Sequence, residues 1–334
     1  MDPAEENQDS GNIRLYTGKR KDGTYDFIIV GQNGKEVALK TVIRLLYLSR
    51  FVDDKMREKY RGKLDEFRNS LQVFLSSLNP REEFIAFFRK HCIDNPGVVM
   101  IGFRGDIRPL LEEQGISDPE SYTDESLRVN WYPNAVGRKL LLVSIDQDRI
   151  FASRSGALVE ALLAISATPP AIIFFGSAGA IDARELLGKI VAPVTVRNAE
   201  AFTRDGVLVH IIRNRGVDYA LAKTNHVSVA SVVVETTAWA KKMKEQRVDT
   251  VDQELFHIVN AINSSSESMK ITFFAGQIVT DNVLSSTNAT DTLESAQETI
   301  SATAESRTAF FSKVLKVLGI LNNQTDRSHI GVKP

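Results

Sequence analysis

The sequence predicts an α/β protein with a mixed, mainly parallel sheet flanked by helices, preceded by a smaller α+β accessory domain. Short, wholly apolar runs begin at residue 98, and such runs are typical of strands buried on both faces. Helical patterns lie between several of them, and strands that alternate with helices indicate a parallel sheet covered by helices. The apolar runs lie at 98–101, 140–143, 171–175, 190–191, 227–234 and 271–274, and the helical patterns at 155–166, 236–245, 251–263 and 292–318.

The chain before residue 97 has a different pattern. Residues 1–11 are polar and acidic, which predicts a disordered N-terminus. Asp22-Gly23 and Asn33-Gly34 lie between short β-rich runs and favour tight hairpin turns, because both pairs tolerate positive φ. Helical periods follow, and Asn79-Pro80 is typical of a helix start. The domains are therefore predicted as an N-terminus of residues 1–11, an accessory domain of residues 12–95, a main domain of residues 97–320 and a tail of residues 321–334.

Composition argues against several classes of protein. A formal net charge of −1 argues against a dedicated nucleic-acid binder. No uninterrupted apolar stretch approaches the ~20 residues that a membrane span needs, and the acidic start predicts no secretory signal. The single cysteine, Cys92, fits a reducing cytosol, so we expect a cytoplasmic protein. Five dispersed histidines and one cysteine have no ligand spacing, so no metal and no cofactor are expected.

Three motifs place polar residues at the ends of predicted elements. Residues 174–180 (Phe-Phe-Gly-Ser-Ala-Gly-Ala) form a small-residue turn closing an apolar strand, and residues 251–254 (Val-Asp-Gln-Glu) bring an acidic pair into a helix. Residues 278–282 (Ile-Val-Thr-Asp-Asn) end another apolar strand with an acid. Their order and spacing, with the strand at 187–193 between them, resemble the nucleoside phosphorylase and nucleosidase superfamily. Those enzymes cleave the N-glycosidic bond of nucleosides, and the resemblance covers roughly residues 98–318.

The resemblance implies roles for two carboxylates. Breaking a purine–ribose bond builds positive charge on the sugar and negative charge on the base, so the site needs an acid and groups that hold the ribose. Asp281 matches the family's base-protonating aspartate, and Glu254 matches the glutamate that accepts hydrogen bonds from the ribose hydroxyls. The alternatives are a helix N-cap for Asp281 and a surface carboxylate in the first turn of a helix for Glu254.

Other residues are candidates for the walls of the pocket. In the family the small-residue turn brings backbone amides and a serine hydroxyl to the nucleophile, which implies that role for Gly176 and Ser177. The alternative is a tight strand-to-helix connection. Gln253 takes the place that methionine usually holds, and Glu235 and Thr236, just past a predicted strand, are candidates for the base pocket.

The identity of the nucleophile separates hydrolysis from phosphorolysis. Phosphorylases of this superfamily place a phosphate-binding arginine just before the Gly-Ser turn, whereas this chain has Phe174-Phe175. The glycine-rich turn expected after residues 140–143 is also missing, so water is the more plausible nucleophile. Asp106 is the carboxylate nearest to the position of the nucleosidases' water-activating glutamate. Arginines in this part of the chain could bind a 5′-phosphate, although each alone is more often a surface charge; they are Arg104, Arg108, Arg149 and Arg154.

We therefore expect hydrolysis of a purine nucleoside or nucleotide to free base, with that small molecule as the main partner. Phosphorolysis is one alternative. Another is a non-catalytic nucleotide sensor or interaction protein, which the missing glycine turn favours and the pair Glu254 and Asp281 disfavours. The resemblance also implies a homo-oligomer, and the accessory domain is a candidate docking site for a protein partner. Neither nucleic acid nor a membrane is expected as a partner.

Overall fold

The computed structural model of the protein describes twelve segments of the chain. The described residues are 5–9, 13–19, 25–31, 79–102, 107–123, 127–135, 137–144, 153–199, 209–212, 221–229, 237–283 and 301–321. Among them, no helix has both the length and the apolar character needed to cross a membrane.

A three-stranded antiparallel sheet comes first in the chain, formed by β1 (Glu5–Asp9), β2 (Ile13–Lys19) and β3 (Tyr25–Gly31). β2 and β3 pair from Ile13↔Gly31 to Lys19↔Tyr25, and the predicted turn at 22–23 between them lies outside the described residues. β1 lies within the residues predicted to be disordered. That prediction rested on polar composition and is wrong for Glu5–Asp9, because pairing with β2 gives this segment backbone hydrogen bonds. The predicted turn at 33–34 lies outside the described residues.

The main sheet contains ten described strands in the order β10-β9-β11-β12-β8-β4-β7-β6-β5, with β13 paired to both β8 and β9. Five strand pairs are parallel and five antiparallel, so the predicted mixed α/β character is confirmed, while parallel pairs are not the majority. The strands are β4 (Val98–Gly102), β5 (Glu120–Thr123), β6 (Arg128–Ala135), β7 (Arg138–Val143), β8 (Ala171–Ala180), β9 (Ile190–Asn198), β10 (Val209–Ile211), β11 (Ala222–Ser228), β12 (Thr250–Asp252) and β13 (Phe273–Asn282).

Because β13 bonds to β8 on one side and β9 on the other, five strands close into a ring. Around the ring the order is β9, β11, β12, β8 and β13. β8 belongs to both parts of the sheet: its first half pairs with β4, from Ala171 to Phe175, and its second half pairs with β12 at Gly179 and Ala180.

Helices cover both faces of the open part of the sheet. Val99 and Ile101 of β4 pack into one apolar cluster with α1, α3 and α5, while Val98 and Met100 pack into a second cluster with α2 and α6. This alternation confirms that the apolar run at 98–101 is a strand buried on both faces. The helices are α1 (Pro80–Lys90), α2 (Arg108–Glu112), α3 (Ser153–Ala164), α4 (Thr237–Glu245), α5 (Leu255–Ser264) and α6 (Ala304–Val317), with a 3-10 turn at Arg184–Leu186.

Helix α1 belongs to the core of the main sheet. It begins as predicted, with the Asn79 side chain accepting a hydrogen bond from the Arg81 amide at 3.1 Å. Phe84 and Phe88 are fully buried in the cluster that also holds α3 and α5. Arg154 of α3 joins the two helices by a half-buried ion pair with Glu83 at 3.0 Å, and its guanidinium lies 5.0 Å from the Phe84 ring centroid.

The packing of α1 corrects the predicted boundary near residue 95. The sequence pattern placed this helix in the accessory domain. Its apolar face instead completes the core of the main domain, because its phenylalanines are buried in one cluster with apolar side chains of α3 and α5. Arg154 was also a candidate for binding a substrate phosphate. Its ion pair with Glu83 gives this arginine a structural role without any phosphate. The accessory domain predicted over residues 12–95, apart from helix α1, and its docking of a partner stay predictions.

Candidate active site

Strand β8 carries the small-residue motif, and here the sequence prediction was wrong. Residues 176–180 were expected to form a turn after the strand, yet β8 runs to Ala180. The segment stays extended because β13 pairs with it along its whole length and β12 pairs with its last two residues. Ser177 is exposed, while the other residues of β8 are buried. The small residues therefore line a strand onto which neighbouring strands can pack closely.

Gly179 is the point where three strands of the site meet. It pairs with Val251 of β12 on one side and with Asp281 of β13 on the other. A methyl group at Gly179 would lie 3.1 Å from Asp281 Oδ2, 3.2 Å from Val283 Cγ2 and 3.3 Å from Val251 Cγ1. These contacts are tighter than ordinary van der Waals contacts, so an alanine here would require the carboxylate or the two valines to shift by a few tenths of an ångström.

Asp281 lies near the end of β13, as the sequence predicted. The strand contains a bulge: Val279 pairs with Ala178 and Asp281 with Gly179, which leaves Thr280 as an extra residue. A bulge shifts the alternation of side chains by one position, so Asp281 shares a face with Gly179 and Ser177. The Thr280 hydroxyl donates to Asp281 Oδ1 at 2.9 Å, and the residue remains partly exposed. Because Asp281 lies within a strand, it is not at the N-terminus of any helix in the described part of the chain.

Glu254 lies between β12 and α5, as predicted, and is half-buried. Its backbone carbonyl accepts a hydrogen bond from the Ser155 hydroxyl at 3.2 Å, which ties the start of α5 to α3. Burial, followed by the charge of Asp252, raises the pKa of the Glu254 carboxyl to about 8, although the Gln253 amide partly opposes this rise. At neutral pH the carboxyl of the free protein is therefore mostly protonated.

A buried polar network behind Glu254 was missed by the sequence reasoning. Asp252 Oδ1 accepts from the Ser228 hydroxyl at 2.6 Å, and Asp252 Oδ2 accepts from Gln277 Nε2 at 2.6 Å. The backbone amide of Leu255 also points to this carboxylate, at 3.1 Å from Oδ2. His226 Nε2 lies 2.8 Å from Asp252 Oδ1 but is not aligned for a hydrogen bond. A polar residue at every second position of β11 was the available signal; these residues are Thr224, His226 and Ser228.

The network also fixes the first turn of α5. Asp252 accepts from the Leu255 amide, and the Ser228 hydroxyl oxygen accepts from the Phe256 amide at 2.9 Å. These amides are among the groups that a helix N-terminus leaves without an intrahelical partner. Asp252, rather than Glu254, is thus the capping carboxylate, and the Glu254 side chain makes no capping hydrogen bond.

Of the remaining predicted site residues, two are described by the structure and the others are not. Arg108 is exposed and pairs with Glu112 at 2.7 Å, and this ion pair raises the pKa of the arginine. Gln253 is half-buried beside Glu254. Asp106, Arg104, Arg149, Glu235 and Thr236 lie outside the described residues, so their roles stay predictions. Within the described part of the chain, no group of three or more histidine, cysteine or acidic side chains is arranged to hold a metal ion.

Phe174 and Phe175 occupy the position where phosphorylases place an arginine. Both are fully buried, on opposite faces of β8. Phe175 packs against Phe310 and Phe311 of α6, with ring centroids 5.0 and 4.9 Å apart. These positions therefore belong to the apolar core and present no cation to the site.

Comparison with known proteins supports the family resemblance at the level of fold. No protein-family model and no curated protein matches the sequence. A purine nucleoside phosphorylase from Schistosoma, solved with hypoxanthine, is similar with a TM-score of 0.52 and 15% identity, over 72% of this chain and 99% of that chain. A 5′-methylthioadenosine/S-adenosyl homocysteine nucleosidase from Campylobacter jejuni is similar with a TM-score of 0.50 and 14% identity, over 68% of this chain and 100% of that chain.

The chain thus has the fold of the nucleoside phosphorylases and nucleosidases, in a diverged form. The similarity spans nearly the whole of the two solved structures. At this level of identity the comparison defines the fold alone.

Proposed function

We propose that this protein hydrolyses the N-glycosidic bond of a purine nucleoside or nucleotide and releases the free base. One observation carries the proposal: β12 and β13 pair with the two sides of β8 at Gly179, so Asp281 and the segment leading to Glu254 approach the same small-residue strand. Neighbouring strands lie about 4.8 Å apart, so the backbones of Val251 and Asp281 are separated by roughly 10 Å. Because β8 lies between these backbones, and the side chains of Asp281 and Val251 pack over Gly179, the substrate is proposed to bind outside this three-strand contact, between the carboxyl groups of Asp281 and Glu254.

The two carboxylates take different parts in the proposed reaction. Asp281, partly exposed and held by the Thr280 hydroxyl, donates a proton to the departing base as the glycosidic bond breaks. Glu254 binds the ribose hydroxyls, and its ionised form favours the positive charge that develops on the sugar. Ser177, the exposed residue of β8, lies on the same face as Asp281 and faces the nucleophile.

Water, rather than inorganic phosphate, is the proposed nucleophile. Phosphate binding needs cations or several free backbone amides. Phe174 and Phe175 are buried apolar residues where an arginine would be required, and Arg108 is paired with Glu112 on the surface. Asp106 remains the candidate for activating the water. The Schistosoma phosphorylase was solved with hypoxanthine, a purine base, which supports a purine as the leaving group.

The test is a screen of purine nucleosides and nucleotides for released free base, with and without phosphate. We expect release in phosphate-free buffer, with ribose as the sugar product from a nucleoside and ribose 5-phosphate from a 5′-nucleotide, and no sugar 1-phosphate. Asp281→Asn is the control that distinguishes this activity from a contaminating enzyme. A sugar 1-phosphate product would contradict hydrolysis, and tight nucleotide binding without any base release would favour a sensor.

A further inference from the structure

The side chains of Asp252 and Gln277 meet across β8, a strand to which neither residue belongs. Asp252 ends β12 and Gln277 lies in β13, and both strands pair with β8. Their side chains nevertheless form a hydrogen bond of 2.6 Å on one face of the sheet. The β8 residue paired with Gln277 is Gly176, so no side chain blocks the contact at that position.

Each partner in this contact leads directly to a proposed catalytic carboxylate. Asp252 precedes Glu254 by two residues and holds the first amide of α5 through Leu255. Gln277 precedes Asp281 by four residues on the same strand. Both side chains are buried, with Gln277 fully so, and Asp252 is further held by the Ser228 hydroxyl. The contact is therefore shielded from water, where a charge-assisted hydrogen bond keeps most of its strength.

We propose, building on the function proposed above, that Asp252 and Gln277 form a positioning unit that fixes the Glu254 segment relative to the strand carrying Asp281. Neither side chain touches the substrate. They set the separation of the two carboxylates across β8, which must suit the length of one nucleoside. A displacement of about 1 Å between catalytic groups can cost about 100-fold in rate.

The orphan oxygen of Gln277 allows geometry and charge to be tested separately. Gln277 Oε1 is buried without a hydrogen-bond partner. In Asp252→Asn the Gln277 amide can turn over, so that this oxygen accepts from the new asparagine amide. The bridge is then kept while the charge is lost. Gln277→Met keeps the charge of Asp252 and removes the bridge. Ile278→Val is the matched control, since Ile278 is the next, fully buried residue of β13 and points to the opposite face.

The direct readout is the titration of Glu254 in the full-length protein, followed by carboxyl 13C NMR and assigned with Glu254→Gln. Asp252 is the ionisable group whose charge acts on Glu254, and His226 in turn lies 2.8 Å from Asp252. We expect Asp252→Asn to lower the titration midpoint of Glu254, because the neighbouring charge is removed while the burial of Glu254 remains. We expect Gln277→Met to shift the signals of both Glu254 and Asp281 and to lower base release about 100-fold. Ile278→Val should do neither.

The outcomes separate this inference from the proposed function. If no nucleoside or nucleotide is cleaved by the wild-type protein, the function fails, while the NMR signals still decide whether Asp252 and Gln277 position the two carboxylates. If wild type cleaves substrate but Gln277→Met behaves like Ile278→Val in both rate and spectrum, the positioning unit is overturned and the function stands. Gln277→Met also provides the decisive measurement should Asp252→Asn not fold.

Discussion

The titration of Glu254 leads to a prediction of stability as a function of pH. Its pKa is raised from the ordinary 4.5 to about 8 by burial and by the charge of Asp252. The unfolded chain releases this proton near pH 4.5, so between the two values the folded protein holds a proton that the unfolded chain has lost. The free energy of unfolding therefore falls as pH rises from about 4.5 and levels off above about pH 8. The slope is at most about 1.4 kcal/mol per pH unit, and the partial exposure of Glu254 reduces it.

Urea unfolding of the wild type and Glu254→Gln between about pH 5 and pH 9 isolates this effect, since all other ionisable groups are shared. Glutamine is neutral throughout, so the stability of wild type relative to the variant should fall steadily toward pH 8 and then stay constant. Glu267→Gln is the matched control, because Glu267 is a half-exposed carboxylate paired with Lys270 at 2.6 Å. Its difference from wild type should change little over the same range. A Glu254→Gln difference that is independent of pH, or that rises with pH, would refute the raised pKa.

The same titration should be visible in the proposed reaction. If the ionised form of Glu254 holds the ribose, kcat/KM for base release should rise with pH until about pH 8. Glu254→Gln should remove this rising limb and lower both binding and turnover. A rising limb that persists unchanged in Glu254→Gln would assign it to another group.

Three further predictions concern chemistry and packing. Asp281→Asn should lower turnover by roughly two to four orders of magnitude with little change in substrate binding, and near-wild-type rates would contradict its role as the acid. Gly276→Ala should destabilise the fold by about 1–3 kcal/mol in urea unfolding, because the added methyl would lie 2.7 Å from Phe310 Cζ; an unchanged midpoint would mean that α6 moves freely. A chain beginning at Asn79 should keep its cooperative thermal transition, whereas one beginning at Gly97 should lose it along with the buried phenylalanines of α1. A cooperative transition in the shorter chain would restore the boundary near residue 95.

The sequence by itself determined the class of fold and the elements that carry the candidate site. Strands buried on both faces consist of apolar runs, and β4 and β7 follow the predicted runs closely because such burial leaves little choice of residue. The start of α1 at Asn79-Pro80 and the position of Glu254 before α5 were also predicted, since helix starts depend on local chemistry. The order of the three motifs predicted a nucleoside phosphorylase-like fold, which the structural comparison supports.

Only the tertiary structure decided how these elements meet. Residues 176–180 have the composition of a turn, yet they form a strand because β12 and β13, far away in sequence, supply hydrogen bonds on both sides. Helix α1 joined the main core for a similar reason, since the partners of its phenylalanines lie on α3 and α5. The pKa of Glu254 and the contact of Asp252 with Gln277 depend on burial and on a side chain 25 positions away. Such long-range pairings cannot be predicted from periodicity, because the residue pattern of a strand indicates which of its faces are buried and not which strand lies beside it.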